Sequence, residues 1–152
     1  MKVNAPIYLL RNCAPCWKCG VVQSVVALAC ATWQDEECED SSAGDGNEPA
    51  LLMYITDLPP DWLYCIHQVH KRFELRQSVT AESTYYVNTC ECGAFFGDFF
   101  LHRPSGAFFP ITESEAQLIR IEQLPVCGSF EVDGDYSIGT AATILQLGER
   151  HI

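Results

Sequence analysis

Residues 13–20 read CAPCWKCG, and residues 89–93 repeat part of this pattern as TCECG. In the first stretch Cys16 and Cys19 are separated by two residues and followed by Gly20, which is the spacing of a zinc knuckle. A glycine accepts the positive φ that closes such a turn, so that both thiolates and the amides behind them face one ion. The first stretch therefore predicts half of a metal site.

The second stretch supplies the other half. Cys90 and Cys92 lie about seventy residues further along the chain and also precede a glycine. Four thiolates are the number that closes a structural zinc site and leaves no position for water. The Cys-x-Cys spacing is one residue shorter than that of a standard knuckle, so Cys13 and His102 are considered as substitute ligands. The sequence predicts a metal site formed by Cys16, Cys19, Cys90 and Cys92.

Sulfur ligands restrict the choice of metal. Soft thiolates select zinc or iron, and Zn(II) is expected here because it needs no redox partner; a rubredoxin-like iron site is the alternative. A redox-active Cys-x-x-Cys pair is a further alternative, but such a pair normally opens a helix. Residues 21–26 (VVQSVV) are rich in β-branched side chains and favour a strand.

The length and charge limit the classes of function. A chain of 152 residues with 48% hydrophobic residues can bury one sizeable core, so residues 1–152 are predicted to be a single domain. Nine Lys and Arg against twenty Asp and Glu give a formal net charge of −11. This charge argues against a nucleic-acid partner and favours either a basic protein partner or simple solubility.

The cellular compartment is predicted from what the sequence lacks. No signal-peptide pattern opens the chain and no apolar run approaches the roughly 18 residues of a membrane span, so a cytoplasmic protein without membrane contact is expected. Nine cysteines in the cytosol are expected to be metal ligands and buried thiols, with a secreted disulfide protein as the alternative. Cys30, Cys65 and Cys127 are assigned to the core.

An acidic segment interrupts the apolar pattern. Residues 34–48 concentrate acidic residues, serine and glycine, which predicts a flexible loop within the domain. Cys38 in this segment is surrounded by carboxylates that oppose thiolate formation, so it is not expected to be a nucleophile.

Strands are predicted at residues 7–10, 21–26, 51–55 and 83–88, and residues 57–60 (DLPP) are a start signal for a helix that runs to about residue 75. The buried face of that helix is expected to carry Trp62, Ile66, Val69 and Phe73. His67 and His70 are spaced to bind a metal together, but the basic residues around them favour an exposed polar face.

The C-terminal part is predicted in four pieces. Residues 94–102, with four phenylalanines, are expected to form a hairpin or bent strand that packs against the metal site. A capping box at Thr112 predicts a helix to residue 121, although residues 119–122 alternate as a strand does. Residues 130–136 predict a hairpin, and Ser137 is expected to cap a last helix that ends at Gly148, with three inward-facing residues. These are Ala141, Ile144 and Leu145.

These elements predict an α+β fold, in which an antiparallel sheet with zinc-ribbon-like knuckles carries two or three packed helices. Residues 16–20 (CWKCG), 85–90 (YYVNTC), 97–102 (GDFFLH) and 108–110 (FFP) resemble a group of small bacterial proteins with two zinc-ribbon-type knuckles, most of which lack an assigned function. The resemblance implies a zinc-binding module more than an activity. The chain departs from the group's pattern at Cys90–Cys92, where the group has two intervening residues.

Three functions are considered. The first is a non-enzymatic interaction protein, such as an inhibitor or immunity-type protein that binds a basic bacterial partner. The second is a metalloenzyme with an incompletely coordinated zinc assisted by Asp98 or His102, although no nucleophile or second carboxylate completes a catalytic set. The third is a nucleic-acid-binding zinc ribbon, which the net charge disfavours.

Overall fold

The computed structural model describes residues 1–35, 45–79, 81–104 and 106–150. In these residues the strands are β1 Lys2–Pro15, β2 Val22–Gln34, β3 Asp45–Gly46, β4 Ala50–Asp57, β5 Phe73–Ser78, β6 Ser83–Thr89, β7 Phe95–Phe96, β8 Arg120–Gln123, β9 Ser129–Glu131, β10 Asp133–Ile138 and β11 Glu149–Arg150. The helices are α1 Pro60–Val69, α2 Asp98–Leu101, α3 Glu113–Gln117 and α4 Thr140–Leu147.

The strands form two sheets. The larger sheet has the order β10-β4-β2-β1-β8-β11, with β3 paired to β2 and β9 paired to β1. The smaller sheet has the order β5-β6-β7. All pairings are antiparallel except that of β11 with β8. The mixed α+β class and the mostly antiparallel sheets are confirmed.

The long hairpin of β1 and β2 forms the centre of the larger sheet, and its last pair joins Pro15 to Val22. Successive side chains of a strand point to opposite faces, and β2 is covered on both. Residues 26, 28 and 30 join a core that contains Trp62, whereas residues 25, 27 and 29 join a second core that contains Cys16 and Cys90. The turn of this hairpin therefore carries the predicted first metal-binding pair to the edge of the second core.

The buried side chain of Asn88 links the two sheets by hydrogen bonds. Asn88 on β6 is buried, and its Oδ1 accepts a 2.9 Å hydrogen bond from the Val26 amide while its Nδ2 donates one of 2.9 Å to the Val26 carbonyl. Because Asn88 lies two residues before Cys90, this double hydrogen bond positions the second cysteine pair against β2.

Helix α1 ends at Val69, earlier than predicted, because His70 adopts an extended backbone with φ of −150°. Trp62 and Ile66 are buried as expected, but Val69 is exposed and Phe73 is buried from strand β5. The prediction that His70 is exposed is wrong: the turn after α1 buries it, and this burial lowers its pKa although a hydrogen bond with the Asn88 side chain acts in the opposite direction.

Residues 112–121 divide between a helix and a strand. Thr112 Oγ1 accepts a 3.1 Å hydrogen bond from the Glu115 amide and caps α3, as the sequence predicts. The helix nevertheless ends at Gln117, and the alternating residues that follow form β8 beside β1. The predicted helix to residue 121 is therefore too long, because residues 120–121 pair with β1 in the larger sheet.

The predicted hairpin at 130–136 is wrong. Strand β9 pairs with β1, and β10 pairs with β4, on different parts of the larger sheet. The last helix, α4, follows Gly139 with φ of 92° and is not capped by Ser137, but it ends before Gly148 as predicted. Ala141 and Ile144 are buried, and Leu145 packs half-buried against the same core.

The remaining predictions concern two loop regions and the membrane. Residues 94–102 form the short strand β7 and the short helix α2 in place of a longer hairpin. At the ends of the predicted acidic loop, Gln34 belongs to β2 and pairs with β3, while residues 36–44, including Cys38, lie outside the described residues. No helix in the described part of the chain has the length and apolar character needed to cross a membrane.

Candidate metal centre

The first knuckle, residues 16–20, is the turn of the β1–β2 hairpin. The Cys16 amide donates to the Val21 carbonyl at 2.9 Å, and the Gly20 amide donates to the Cys16 carbonyl at 2.9 Å. Gly20 has φ of 77°, and a Cβ added at this position would meet no described atom within 4 Å, so the requirement for glycine comes from the backbone angle alone. The turn places Cys16 in the core and Cys19 at the surface.

The second knuckle, residues 90–93, repeats this turn with one residue fewer. The Cys90 amide donates to the Ala94 carbonyl at 2.8 Å, and the Gly93 amide donates to the Cys90 carbonyl at 2.9 Å. Gly93 has φ of 92°. The Gly93 amide bonds to the carbonyl three residues earlier, whereas the Gly20 amide bonds to the carbonyl four residues earlier. The shorter Cys-x-Cys spacing is therefore accommodated by a tighter turn. Cys90 is buried and Cys92 is exposed, as in the first pair.

The two knuckles meet through their sulfur atoms. Cys16 Sγ lies 3.7 Å from Cys92 Sγ, and Cys19 Sγ lies 3.6 Å from Cys90 Sγ. The four sulfurs all lie within 4.8 Å of one another. Metal–sulfur bonds of about 2.3 Å in a tetrahedron place sulfurs about 3.8 Å apart, so this sulfur cluster has the dimensions of a tetrahedral thiolate site. The four residues fit a metal such as zinc or iron.

The thiols of the sulfur cluster are not equivalent. Hydrogen bonds from the backbone amides of Cys19 and Lys18 lower the pKa of Cys16 to about 6, against the opposing effect of burial. The Cys92 amide likewise lowers the pKa of Cys90, but burial and the neighbouring sulfurs outweigh this effect and raise the pKa of Cys90 to about 12. The Cys16 thiolate is thus favoured before a metal binds, whereas a metal bound at Cys90 would have to displace the proton of that thiol.

One cation contacts the backbone of a cluster cysteine, and a second is adjacent in sequence to another. Lys18 lies between the two cysteines of the first knuckle, and Arg72 Nη1 donates a 3.4 Å hydrogen bond to the Cys90 carbonyl. Four thiolates around a divalent ion carry a net charge of about −2, which nearby cations stabilise.

The two substitute ligands lie outside the sulfur cluster. Cys13 is exposed on β1 opposite Ser24, where it lines a separate cleft of about 350 Å³. His102 follows α2 and packs its ring 5.6 Å from that of Phe108, and its buried Nδ1 has no hydrogen-bond partner among the described residues. Burial lowers the pKa of His102 to about 4. Neither substitute is needed, because both sulfurs of the second knuckle reach the cluster.

The other described cysteines have different environments. Cys30 is buried, as predicted, and this burial raises its pKa to about 11. Cys65 is only partly buried. Cys127 is exposed, so its assignment to the core is wrong; it lies in the connection between β8 and β9, outside the alternating pattern of either strand.

Asp98 is buried and is not part of the sulfur cluster. Its Oδ2 accepts a 2.7 Å hydrogen bond from the amide of Tyr54, a residue with φ of 50°. Burial raises the pKa of Asp98 to about 7, although the Tyr54 amide acts in the opposite direction. Within the described residues, no hydrogen bond joins the side chains of Asp98 and His102. Tyr54 was not identified from the sequence, because no local pattern predicts its positive φ.

No protein-family model, curated protein or solved structure matches the chain. The resemblance to small bacterial zinc-ribbon-type proteins therefore stays a prediction, which the four clustered cysteines are compatible with.

Proposed function

We propose that this protein is a zinc-stabilised, non-enzymatic interaction protein that binds a basic protein partner. An inhibitor or immunity-type protein directed against a basic bacterial enzyme, such as a nuclease, is the form of this function that we favour. The proposed metal is Zn(II), held by Cys16, Cys19, Cys90 and Cys92, with rubredoxin-like iron as the alternative.

The observation that carries this proposal is the convergence of four sulfurs within 4.8 Å of one another. Four thiolates fill a tetrahedral coordination sphere and leave no position for a water or a substrate. A metal in such a site contributes folding free energy, because it holds the β1–β2 hairpin against the smaller sheet. The working surface must then lie elsewhere on the molecule.

The net charge of −11 supports the choice of partner. A strongly acidic protein is steered toward a basic surface and is repelled by a phosphate backbone. A nucleic-acid-binding zinc ribbon is therefore the least favoured alternative, and failure of DNA and RNA to bind at low salt would eliminate it.

The proposal is tested by two measurements on the purified protein. Elemental analysis is expected to give one zinc per chain, and X-ray absorption is expected to give four sulfur ligands at about 2.3 Å. The zinc-loaded protein, used as bait in an extract of its native host, is expected to retain a basic protein whose release rises with salt. Retention of no protein, or of an acidic one, contradicts the interaction function.

The metalloenzyme alternative rests on Asp98, the carboxyl group whose pKa burial raises to about 7. It requires an open coordination position, so three sulfurs and one lighter ligand in the absorption spectrum would favour it over the interaction function. Four sulfur ligands would eliminate it.

A further inference from the structure

Two short contacts of the sulfur cluster each join an exposed cysteine to a buried one. Cys92 is exposed, and its Sγ lies 3.7 Å from that of the buried Cys16. Cys19 is exposed, and its Sγ lies 3.6 Å from that of the buried Cys90. An oxidant in solution reaches an exposed sulfur first, and a second cysteine in contact with it can then close a disulfide. The cluster therefore offers two such pairs, and each joins the first knuckle to the second.

Hydrogen bonds that involve no sulfur also join the two parts of the chain. The Trp17 Nε1 in the first knuckle donates to the Phe95 carbonyl at 2.8 Å, and the Asn88 side chain bonds to Val26 on β2 at 2.9 Å. These bonds set the register of the facing sulfurs independently of a metal ion. Because a disulfide has an S–S distance of about 2.05 Å, each pair must approach by only about 1.6 Å.

Pairing within each knuckle is less favourable. A disulfide between Cys90 and Cys92 would close a ring with one residue between the two cysteines, inside a turn that the Gly93 amide already tightens. Short rings are stiff, and a disulfide needs its two Cβ atoms about 3.8 Å apart. Pairing Cys16 with Cys19 would leave only this short ring for the second knuckle. Pairing across the knuckles avoids it.

We propose that the sulfur cluster is a site of reversible oxidation, at which peroxide replaces the zinc by two disulfides, one between Cys16 and Cys92 and one between Cys19 and Cys90. Both disulfides join the same knuckles that the metal joins. They span 76 and 71 residues of the chain, so they restrict the unfolded state and stabilise the fold without a metal. This inference rests on the zinc site of the proposed function and does not involve its partner.

Each disulfide consumes one molecule of hydrogen peroxide. The exposed sulfur attacks a peroxide oxygen, which forms an S–O bond, breaks the O–O bond and releases hydroxide. The buried sulfur then attacks the exposed one, which forms the S–S bond, breaks the S–O bond and releases a second hydroxide. The two thiolates lose two electrons in all, the peroxide gains them, and two protons from solvent convert both hydroxides to water. Two peroxides thus oxidise all four sulfurs and free the zinc as Zn(II).

The test treats the reduced, zinc-loaded protein with two equivalents of hydrogen peroxide. A coloured chelator measures the released zinc, and mass spectrometry of peptides maps the disulfides after remaining thiols are blocked in acid. About one zinc per chain is expected to be released, with the disulfides Cys16 to Cys92 and Cys19 to Cys90 as the main products. Retained zinc, sulfinic acids in place of disulfides, disulfides between chains, or a main disulfide between Cys16 and Cys19 would each overturn the proposal.

Thermal melting tests whether the disulfides take over the role of the metal. The oxidised, zinc-free protein is expected to melt about 5–10 °C above the same protein kept reduced with a phosphine and a chelator. Dithiothreitol followed by zinc is expected to restore the zinc-loaded form. An oxidised protein that melts at or below the reduced, zinc-free one would overturn the proposal.

Two variants assign the effect to the named pairs. Cys92→Ser is expected to form only the disulfide between Cys19 and Cys90 and to show about half of the rise in melting temperature. Cys13→Ser, at an exposed cysteine outside the cluster, is the matched control and is expected to form both disulfides. A full rise in Cys92→Ser, or loss of either disulfide in Cys13→Ser, contradicts the assignment. The comparison of wild-type forms needs no variant, so it remains decisive if Cys92→Ser does not fold.

Failure of this inference is distinguishable from failure of the proposed function. A purified protein without zinc contradicts the proposed metal site, whereas the disulfide map of its peroxide-treated form still decides which sulfurs pair. Capture of a partner protein enters neither measurement.

Discussion

The indole Nε1–H of Trp17 donates a 2.8 Å hydrogen bond to the carbonyl oxygen of Phe95, so the first knuckle contacts the strand that follows the second. This bond runs beside the sulfur contacts and joins the same two parts of the chain. The position of the indole is therefore expected to depend on whether the two knuckles are held together.

Replacing a sulfur of the cluster should remove the metal. Cys90→Ser is expected to lower the zinc content of the purified protein from one per chain to well below half, because a buried serine is a poor ligand for zinc. The measurement is elemental analysis after gel filtration. Cys13→Ser is the matched control and is expected to retain one zinc, since Cys13 lies outside the sulfur cluster. Loss of metal in Cys13→Ser alone would contradict the ligand set.

Chelation should destabilise the fold. Removal of the metal leaves four sulfurs crowded within 4.8 Å with nothing to hold them, and structural zinc contributes folding free energy directly. The melting temperature is expected to fall by about 10 °C or more. Circular dichroism measures the melting, and the Trp17 indole resonance is expected to move at the same time. Readdition of zinc should restore both; a melting temperature that ignores the chelator would count against a structural metal.

The buried carboxyl group of Asp98 should make stability depend on pH. Its folded pKa of about 7 lies above the ordinary value of 3.8, so the folded state binds the proton more tightly than the unfolded state. The contribution is present below about pH 4, decreases as the pH rises toward 7, and is constant above it. Urea unfolding of the zinc-loaded protein from about pH 5 to pH 8 is expected to show this decrease.

Asp98→Asn should remove this part of the pH dependence and raise the stability at pH 8 relative to the wild type. Asp133→Asn, at an exposed carboxylate, is the matched control and should leave the slope unchanged. Parallel curves for the wild type and Asp98→Asn would show that burial of this carboxyl group has no such effect.

The hydrogen-bonded link through Asn88 between the two sheets is expected to be sensitive to one substitution. Asn88→Ala removes both hydrogen bonds to Val26 and leaves a buried amide and carbonyl without partners, at a cost of about 2–4 kcal/mol. Denaturant unfolding measures this loss, and zinc affinity should fall as well, because Asn88 positions the second knuckle. Gln77→Ala removes an exposed amide from the same sheet and should change stability by less than about 0.5 kcal/mol.

The cysteine cluster could be predicted because its signals are local. The order of cysteine pair and glycine fixes each turn, and the count of four sulfurs suggests that the two turns meet. The strands before the second knuckle and the buried face around Trp62 are equally local patterns. Cys92 was the uncertain member, since only the folded turn shows that its short spacing still reaches the other sulfurs.

The errors arise where distant segments decide the structure. Phe73 fits the helical pattern, yet it belongs to strand β5 and is buried there. A single apolar residue is compatible with the helical and with the strand periodicity, so the pattern does not distinguish them. The sequence pattern of residues 119–121 is compatible with a continuation of α3, but residues 120–121 pair with β1 as part of β8. The cleft of about 580 Å³ beside the first knuckle was not predicted either, because its aromatic rings come from segments that only the packed structure brings together.

Metal binding by the sulfur cluster is expected to tolerate changes in the length of the chain between the two knuckles. Its ligands lie at residues 16–19 and 90–92, so a bound metal closes a ring of about seventy residues that contains the whole acidic segment. The entropy of closing such a ring grows only with the logarithm of its length, and ten added residues cost only about 0.1 kcal/mol. Homologous chains that differ by insertions or deletions at residues 36–44 should therefore bind the metal with nearly the same affinity.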